Sequence, residues 1–144
     1  MTVVYPVSSI KKMPSAQLIC KVGRKSIHAK LSKIPLKISI AYSEEIDRLP
    51  FAGDNICIKK NTIYIKAKLE RNEDGRKCSI QWNSTKGKFV VKKISNGALI
   101  NEIEIPKEGK ILKNRDVIKI REIKFQFISS WKKQDYAVKM WTKN

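Results

Sequence analysis

Apolar and polar residues alternate along much of this chain with a period of two. Ile34–Ile40 (IPLKISI), Thr62–Lys68 (TIYIKAK), Phe89–Ile94 (FVVKKI) and Val117–Phe127 each interleave β-branched or aromatic residues with lysine. That spacing turns one set of side chains to a core and the other to water, and it predicts strands. Cys57–Tyr64 reads as two strands around a turn at Lys60-Asn61. Leu69–Arg76 (LERNEDGR) reads as a polar loop with its tip at Asn72–Gly75. Ser84–Gly87, Pro106–Gly109 and Lys113–Asp116 supply further turns. Only Ser43–Leu49 (SEEIDRL) has helical character, with Ser43 as its cap, two glutamates in the first turn and Pro50 as its stop. Short strands at regular spacing, joined by turn chemistry, predict an all-β sandwich or barrel with one short helical turn in a long connection.

The ends read differently. Residues 1–15, with Pro6 and Pro14, are expected to form an arm. Residues 129–144 carry Trp131, Tyr136, Met140 and Trp141. A tail so rich in aromatics is expected to be ordered or docked on a partner. The domain proper is therefore expected over residues 16–128.

Composition narrows the chemistry. At 144 residues and 42% hydrophobic, with 6 Gly and 5 Pro, the chain is one domain able to bury a core. Its apolar runs are a few residues long, so no membrane span or membrane partner is expected. The start lacks the layout of a signal peptide, which predicts an intracellular protein. Cys20, Cys57 and Cys78 are odd in number and form no CxxC pair, so they read as buried free thiols. His28 is the only histidine and sits in a strand-like KSIHAKL. A multi-histidine metal site is excluded, and a Ser-His-Asp triad has only that one candidate. No catalytic residue, metal or cofactor is assigned, and the protein is expected not to be an enzyme. Gly23-Arg24-Lys25-Ser26 lacks the upstream glycine of a phosphate-binding loop.

Charge adds a second theme. Thirty-one Lys and Arg face 13 Asp and Glu, for a net +18. Each half of the chain nets +9, and the bases are 25 Lys to 6 Arg beside 21 Ile. Spread lysine of this kind is also what an AT-rich coding bias produces. One asymmetry stands out: residues 1–43 hold eight bases and no acid. Such a stretch suits a phosphate backbone, and equally a solvated face.

Residues 76–128 carry more specific information. Arg76-Lys77-Cys78-Ser79-Ile80, then Ser95-Asn96-Gly97-Ala98-Leu99-Ile100-Asn101, then Leu112-Lys113-Asn114-Arg115-Asp116-Val117-Ile118-Lys119-Ile120, and finally Lys124–Phe127, follow one another in order. This constellation resembles the forkhead-associated (FHA) domain, and residues 16–42 are similar in layout to the first strands of FHA domains in fungal forkhead-type transcription factors. The resemblance implies a β-sandwich of about 11 strands with binding loops at one end. It implies a non-catalytic interaction module that reads a phosphothreonine-containing or acidic segment of a partner, in a nuclear setting linked to transcription. The site residues it implies are Arg76, Lys77, Asn96, Gly97 and Asn101. Four positions depart from the family pattern. Tyr42 stands where the family has arginine, Gly75 where it has the phosphate-contacting serine, Cys78 where it has a framework histidine, and Ala98 where it has threonine. Losing an arginine and a hydroxyl removes charge-assisted bonds worth roughly 1.5–3 kcal/mol for the charged one. The pocket is thus expected to be diverged. The alternative is a basic protein that associates with nucleic acid or a ribonucleoprotein, with the sandwich as a scaffold. The sequence leaves the oligomeric state open.

Overall fold

The computed structural model describes residues 12–51 and 53–129. The described chain folds into twelve strands and one short helix. They are β1 (Ala16–Val22), β2 (Lys25–Lys30), β3 (Leu36–Ile40), α1 (Ser43–Ile46), β4 (Ile56–Lys59), β5 (Thr62–Ile65) and β6 (Arg76–Asn83). There follow β7 (Lys88–Lys93), β8 (Ala98–Ile100), β9 (Ile103–Glu104), β10 (Lys110–Ile111), β11 (Val117–Ile120) and β12 (Ile123–Ser129). One sheet has the order β2-β1-β12-β11-β8-β9, the other β10-β7-β6-β3-β5-β4. All neighbours are antiparallel except β3 and β5, which the connection through α1 and β4 makes parallel.

Alternation explains why these segments are strands. In β1, Ala16, Leu18 and Cys20 are buried while Gln17, Ile19 and Lys21 turn outward. In β3, Leu36, Ile38 and Ile40 are buried while Lys37 is exposed. The two inner faces meet in one core, which includes Leu18, Ile38, Ile80, Phe89, Phe125 and Phe127. Phe89 sits edge-on between Trp82 and Phe127, with ring centroids 5.0 and 5.7 Å away. Such edge contacts add to area burial.

The structure adjusts several expectations. Twelve short strands replace about eleven, because a two-residue β9 and a two-residue β10 pair at the sheet margins. The strand expected over Thr62–Lys68 ends at Ile65, and the bond from the Lys66 amide to the Asn55 carbonyl is the last to follow the β4–β5 register. The helix is capped at Tyr42 rather than Ser43. The Tyr42 carbonyl accepts from Glu45 and Ile46, and the Glu45 carboxylate reaches back to the Tyr42 amide at 2.9 Å. The helix closes after Ile46, and Arg48 and Leu49 continue it only as turns. The Lys60-Asn61 turn falls where the pattern puts it, with Lys60 at φ 55°. Of the expected arm only residues 12–15 are described, and there Met13 packs against the core and Pro14 is buried. The aromatic tail lies outside the described residues beyond Ser129, which belongs to β12.

Candidate functional site

Three segments converge at one end of the sandwich: the start of the β3–α1 connection, the loop that leads into β6, and the turn between β7 and β8. The sequence pattern aligned Tyr42, Gly75–Cys78 and Asn96–Ala98 with the family's binding positions. The structure brings Tyr42, Asp74, Gly75, Arg76, Lys77 and Ser95–Gly97 together here.

Tyr42, in the arginine position, is a fixture of the loop. Its hydroxyl donates to Asp74 Oδ1 at 3.2 Å and accepts from the Gly75 amide at 3.0 Å. Gly75 is buried, and its carbonyl accepts from the Ile40 amide. A Cβ built on Gly75 would lie 2.4 Å from the Ile40 carbonyl oxygen and 3.2 Å from Tyr42 Cζ. The family's serine therefore has no room at this position without a backbone shift. The departures at 42 and 75 belong to one local packing solution: the tyrosine ring and the close approach of two strands fill the space.

Arg76 is exposed, with 65% of its side chain open to solvent. Its guanidinium lies against Asp74, with Nε at 3.2 Å from Oδ1 and an Nη at 3.0 Å from Oδ2. The Arg76 amide also donates to Asp74 at 2.9 Å. These bonds, with that from Tyr42, hold the Asp74 carboxyl at about 2, well below the usual carboxylate range. The same pair raises the Arg76 guanidinium. An incoming phosphate thus meets an arginine that already has a carboxylate partner.

Lys77 is placed differently from the expectation. Its side chain is 1% exposed and its ammonium bonds Glu73 Oε2 and the Asn96 carbonyl oxygen, each at 2.8 Å. It braces two loops from inside and presents no cation to solvent. Gly97 fits around it: at φ 113° it takes a conformation that L side chains rarely adopt, and a Cβ there would lie 3.3 Å from the ammonium. Asn96 is exposed, and only its carbonyl is committed to Lys77. The Ser95 hydroxyl lies within reach of the carbonyls of Asp74 and Arg76, and so staples the Asn96 turn beside Arg76.

Asn101 stands apart from this cluster. It sits in the turn between β8 and β9 at φ 50°. Its amide donates to Asp116 Oδ1 at 3.0 Å and its oxygen accepts from the Val117 amide at 3.0 Å. These bonds commit the side chain to tying the β8–β9 turn to the start of β11. Cys78 has 0% exposure in the core strand β6, and Ala98 is buried at the start of β8. Burial pushes the Cys78 thiol up to about 12 and the Cys20 thiol to about 11, far from reactive thiolates.

Sequence reasoning assigns no role in the site to Glu73, Asp74, Ser95 or Arg121. Arg121, at the β11–β12 turn, bonds both oxygens of Glu73 at 2.7 and 2.8 Å and the Lys68 carbonyl at 2.9 Å. With Lys77 and the Glu70 amide it pulls the Glu73 carboxyl down to about 2. No short motif signals a pair 48 residues apart. Asp74 was visible only as half of an Asp-Gly turn. The hydrogen-bonded charges of this end, Glu73, Asp74, Arg76, Lys77 and Arg121, sum to one positive charge. Among the described residues no group of three or more His, Cys, Asp or Glu is placed to hold a metal ion, and no helix is long and apolar enough to cross a membrane.

No family model and no curated protein matches this sequence. Solved structures do. The chain is similar to the Rv0020c FHA structure at TM-score 0.53 and 12% identity, covering 82% of this chain and 95% of that one. It is similar to the FHA domain of the CT664 protein from Chlamydia trachomatis at TM-score 0.51 and 11% identity, with 80% and 97% covered. The yeast Dun1 FHA domain, in complex with a doubly phosphorylated peptide derived from Rad53, matches at TM-score 0.50 and 17% identity, with 90% and 83% covered. The fold is that of the FHA β-sandwich.

Proposed function

We propose that this chain is a non-catalytic interaction module of FHA type. It binds a phosphothreonine-containing or acidic segment of a partner through the loop end that holds Arg76 and Asn96. One observation carries the reading: an exposed guanidinium and an exposed amide stand on two loops that Ser95 staples side by side. A cation for the anionic group beside an amide for the peptide backbone is the donor set that phosphopeptide recognition needs. The shared fold with the Dun1 domain, whose structure holds a phosphorylated peptide, supports it. Tyr42, Gly75 and the Asp74–Arg76 pair argue for weaker phosphate reading than an arginine-and-serine pocket gives. A nuclear role in transcription is part of the proposal, resting on the resemblance of the first strands to those of fungal forkhead-type factors.

The test is binding of a phosphothreonine peptide library and its unphosphorylated twin at physiological salt, with Arg76→Ala and Asn96→Ala alongside. Phosphate-dependent binding that both variants lose is expected. Equal binding of the two libraries, or phosphate-dependent binding that both variants retain, would refute it.

A further inference from the structure

The described bases of the acid-free N-terminal run do not form one patch. Lys21, Arg24, Lys25 and Lys30 lie on the β1–β2 hairpin of one sheet, whereas Lys37 lies in the middle of the other. On the outer face of that second sheet, residues far apart in sequence line up instead. Lys59 pairs with Thr62, Thr62 with Lys37, Lys37 with Ser79, and Ser79 with Lys92. Five adjacent strands thus carry Lys-Thr-Lys-Ser-Lys at one level, with Ser79 buried between the side chains that flank it. At the usual strand spacing the lysines stand about 10 Å apart and the row spans about 19 Å. All three lysines are exposed. At the Lys59 end, Arg48 and Lys60 join it around a shallow cleft with Thr62 and Tyr64.

None of these cations is among the ion pairs of the described residues, which involve Arg76, Lys77, Lys93 and Arg121. Glu45, at the cleft, spends an oxygen on the Tyr42 amide. Glu108, which shares a depression with Lys92, marks the far end. The row itself holds no apolar side chain to enter a bilayer or to anchor a hydrophobic peptide, and the rings at its two ends, Tyr64 and Trp82, are packed against apolar clusters rather than standing free to stack the bases of a single strand. Lysines act as point charges, and the half-buried Thr62 adds a hydroxyl that can donate to a phosphate oxygen. A duplex carries one charge per about 1.7 Å of axis over its two strands, so its backbone offers phosphates to each of the three lysines along this length.

We propose that this sheet face binds duplex nucleic acid through its phosphate backbone, without reading sequence, on a surface separate from the loop end.

The test compares two triple variants that remove the same charge. One is Lys37→Gln/Lys59→Gln/Lys92→Gln. The other is Lys21→Gln/Lys119→Gln/Lys124→Gln on the opposite sheet, where Lys119 and Lys124 are cross-strand neighbours. Binding of a duplex DNA probe is followed by fluorescence anisotropy across a salt series. The first triple should flatten the log–log salt slope by about 3 and weaken binding on the order of 100-fold near physiological salt. The second should lie within a few-fold of the parent. Equal losses in both triples would overturn the proposal, because binding would then follow net charge alone. So would an acidic polyglutamate peptide binding this face while the duplex does not. Arg76→Ala should leave the duplex affinity unchanged, which keeps this result apart from that of the loop end.

Discussion

At the scale of single residues, the loop end is held together by the groups that stand where the sequence departs from the FHA pattern. The Tyr42 hydroxyl serves both the Gly75 amide and Asp74. Tyr42→Phe strands a buried donor and should cost about 1–2 kcal/mol, read as a lowered denaturation midpoint at an unchanged slope. Gly75→Ser restores the family's hydroxyl but drives a Cβ into the Ile40 carbonyl. It should destabilise by about 1–3 kcal/mol, as overpacking does, and give no gain in phosphopeptide affinity. Asp74 is the internal competitor for Arg76. Asp74→Asn keeps an acceptor for Tyr42 and removes the negative charge. Exposed ion pairs are worth about 0.2–1 kcal/mol, so phosphopeptide affinity should rise by about two- to five-fold in a titration at fixed salt. The thiols make a separate point. Cys78 is sealed in the core with its thiol near 12. It should resist a thiol reagent in the native protein and react once the protein is unfolded.

At the scale of elements, one network joins the loop before β6, the β7–β8 turn and the β11–β12 turn. Glu73 is its hub, bonded by Arg121 and by the buried Lys77. Glu73→Gln leaves the buried Lys77 ammonium with neutral oxygens only and no counter-ion, and removing the charged partner of a buried pair costs about 3–5 kcal/mol. Adding Lys77→Met should recover much of that loss, since an apolar side chain of similar length needs no partner. The pH dependence follows from the lowered carboxyls. Glu73 and Asp74 lie near 2 in the fold and nearer 4 when unfolded. Their stabilising effect is complete above about pH 5 and is lost as pH falls through 4 toward 2. Glu73→Gln should flatten that acid limb in a series of thermal melts.

Much of this level was legible in the sequence. Period-two runs gave the strands, and Lys60-Asn61 and Ser84–Gly87 gave their turns, because those signals are local. The hydrogen-bonded roles of Lys77, Glu73 and Arg121 were not legible. A lysine flanked by a polar loop reads as a surface base until the fold closes a turn over it. Tyr42 and Gly75 were legible as departures, but their mutual packing was not, since it depends on the approach of β3 to the start of β6.

At the scale of the whole molecule, a net charge of +18 makes weak attraction to any polyanion the default. What distinguishes a site from that background is placement. The loop end sets one exposed arginine beside an amide, among hydrogen-bonded charges that sum to one positive charge, whereas the outer face of the second sheet sets lysines in a row without acidic partners. On the proposed function, the loop end is the place where a partner's phosphorylated segment is read. The most direct check is a backbone amide NMR titration with a phosphothreonine peptide and its unphosphorylated twin at physiological salt. The phosphorylated peptide alone should move the signals of Gly75, Arg76, Asn96 and Gly97, and these shifts should be lost with Arg76→Ala. Shifts of equal size from both peptides, or shifts spread over the lysine faces with the loop end unmoved, would contradict that function.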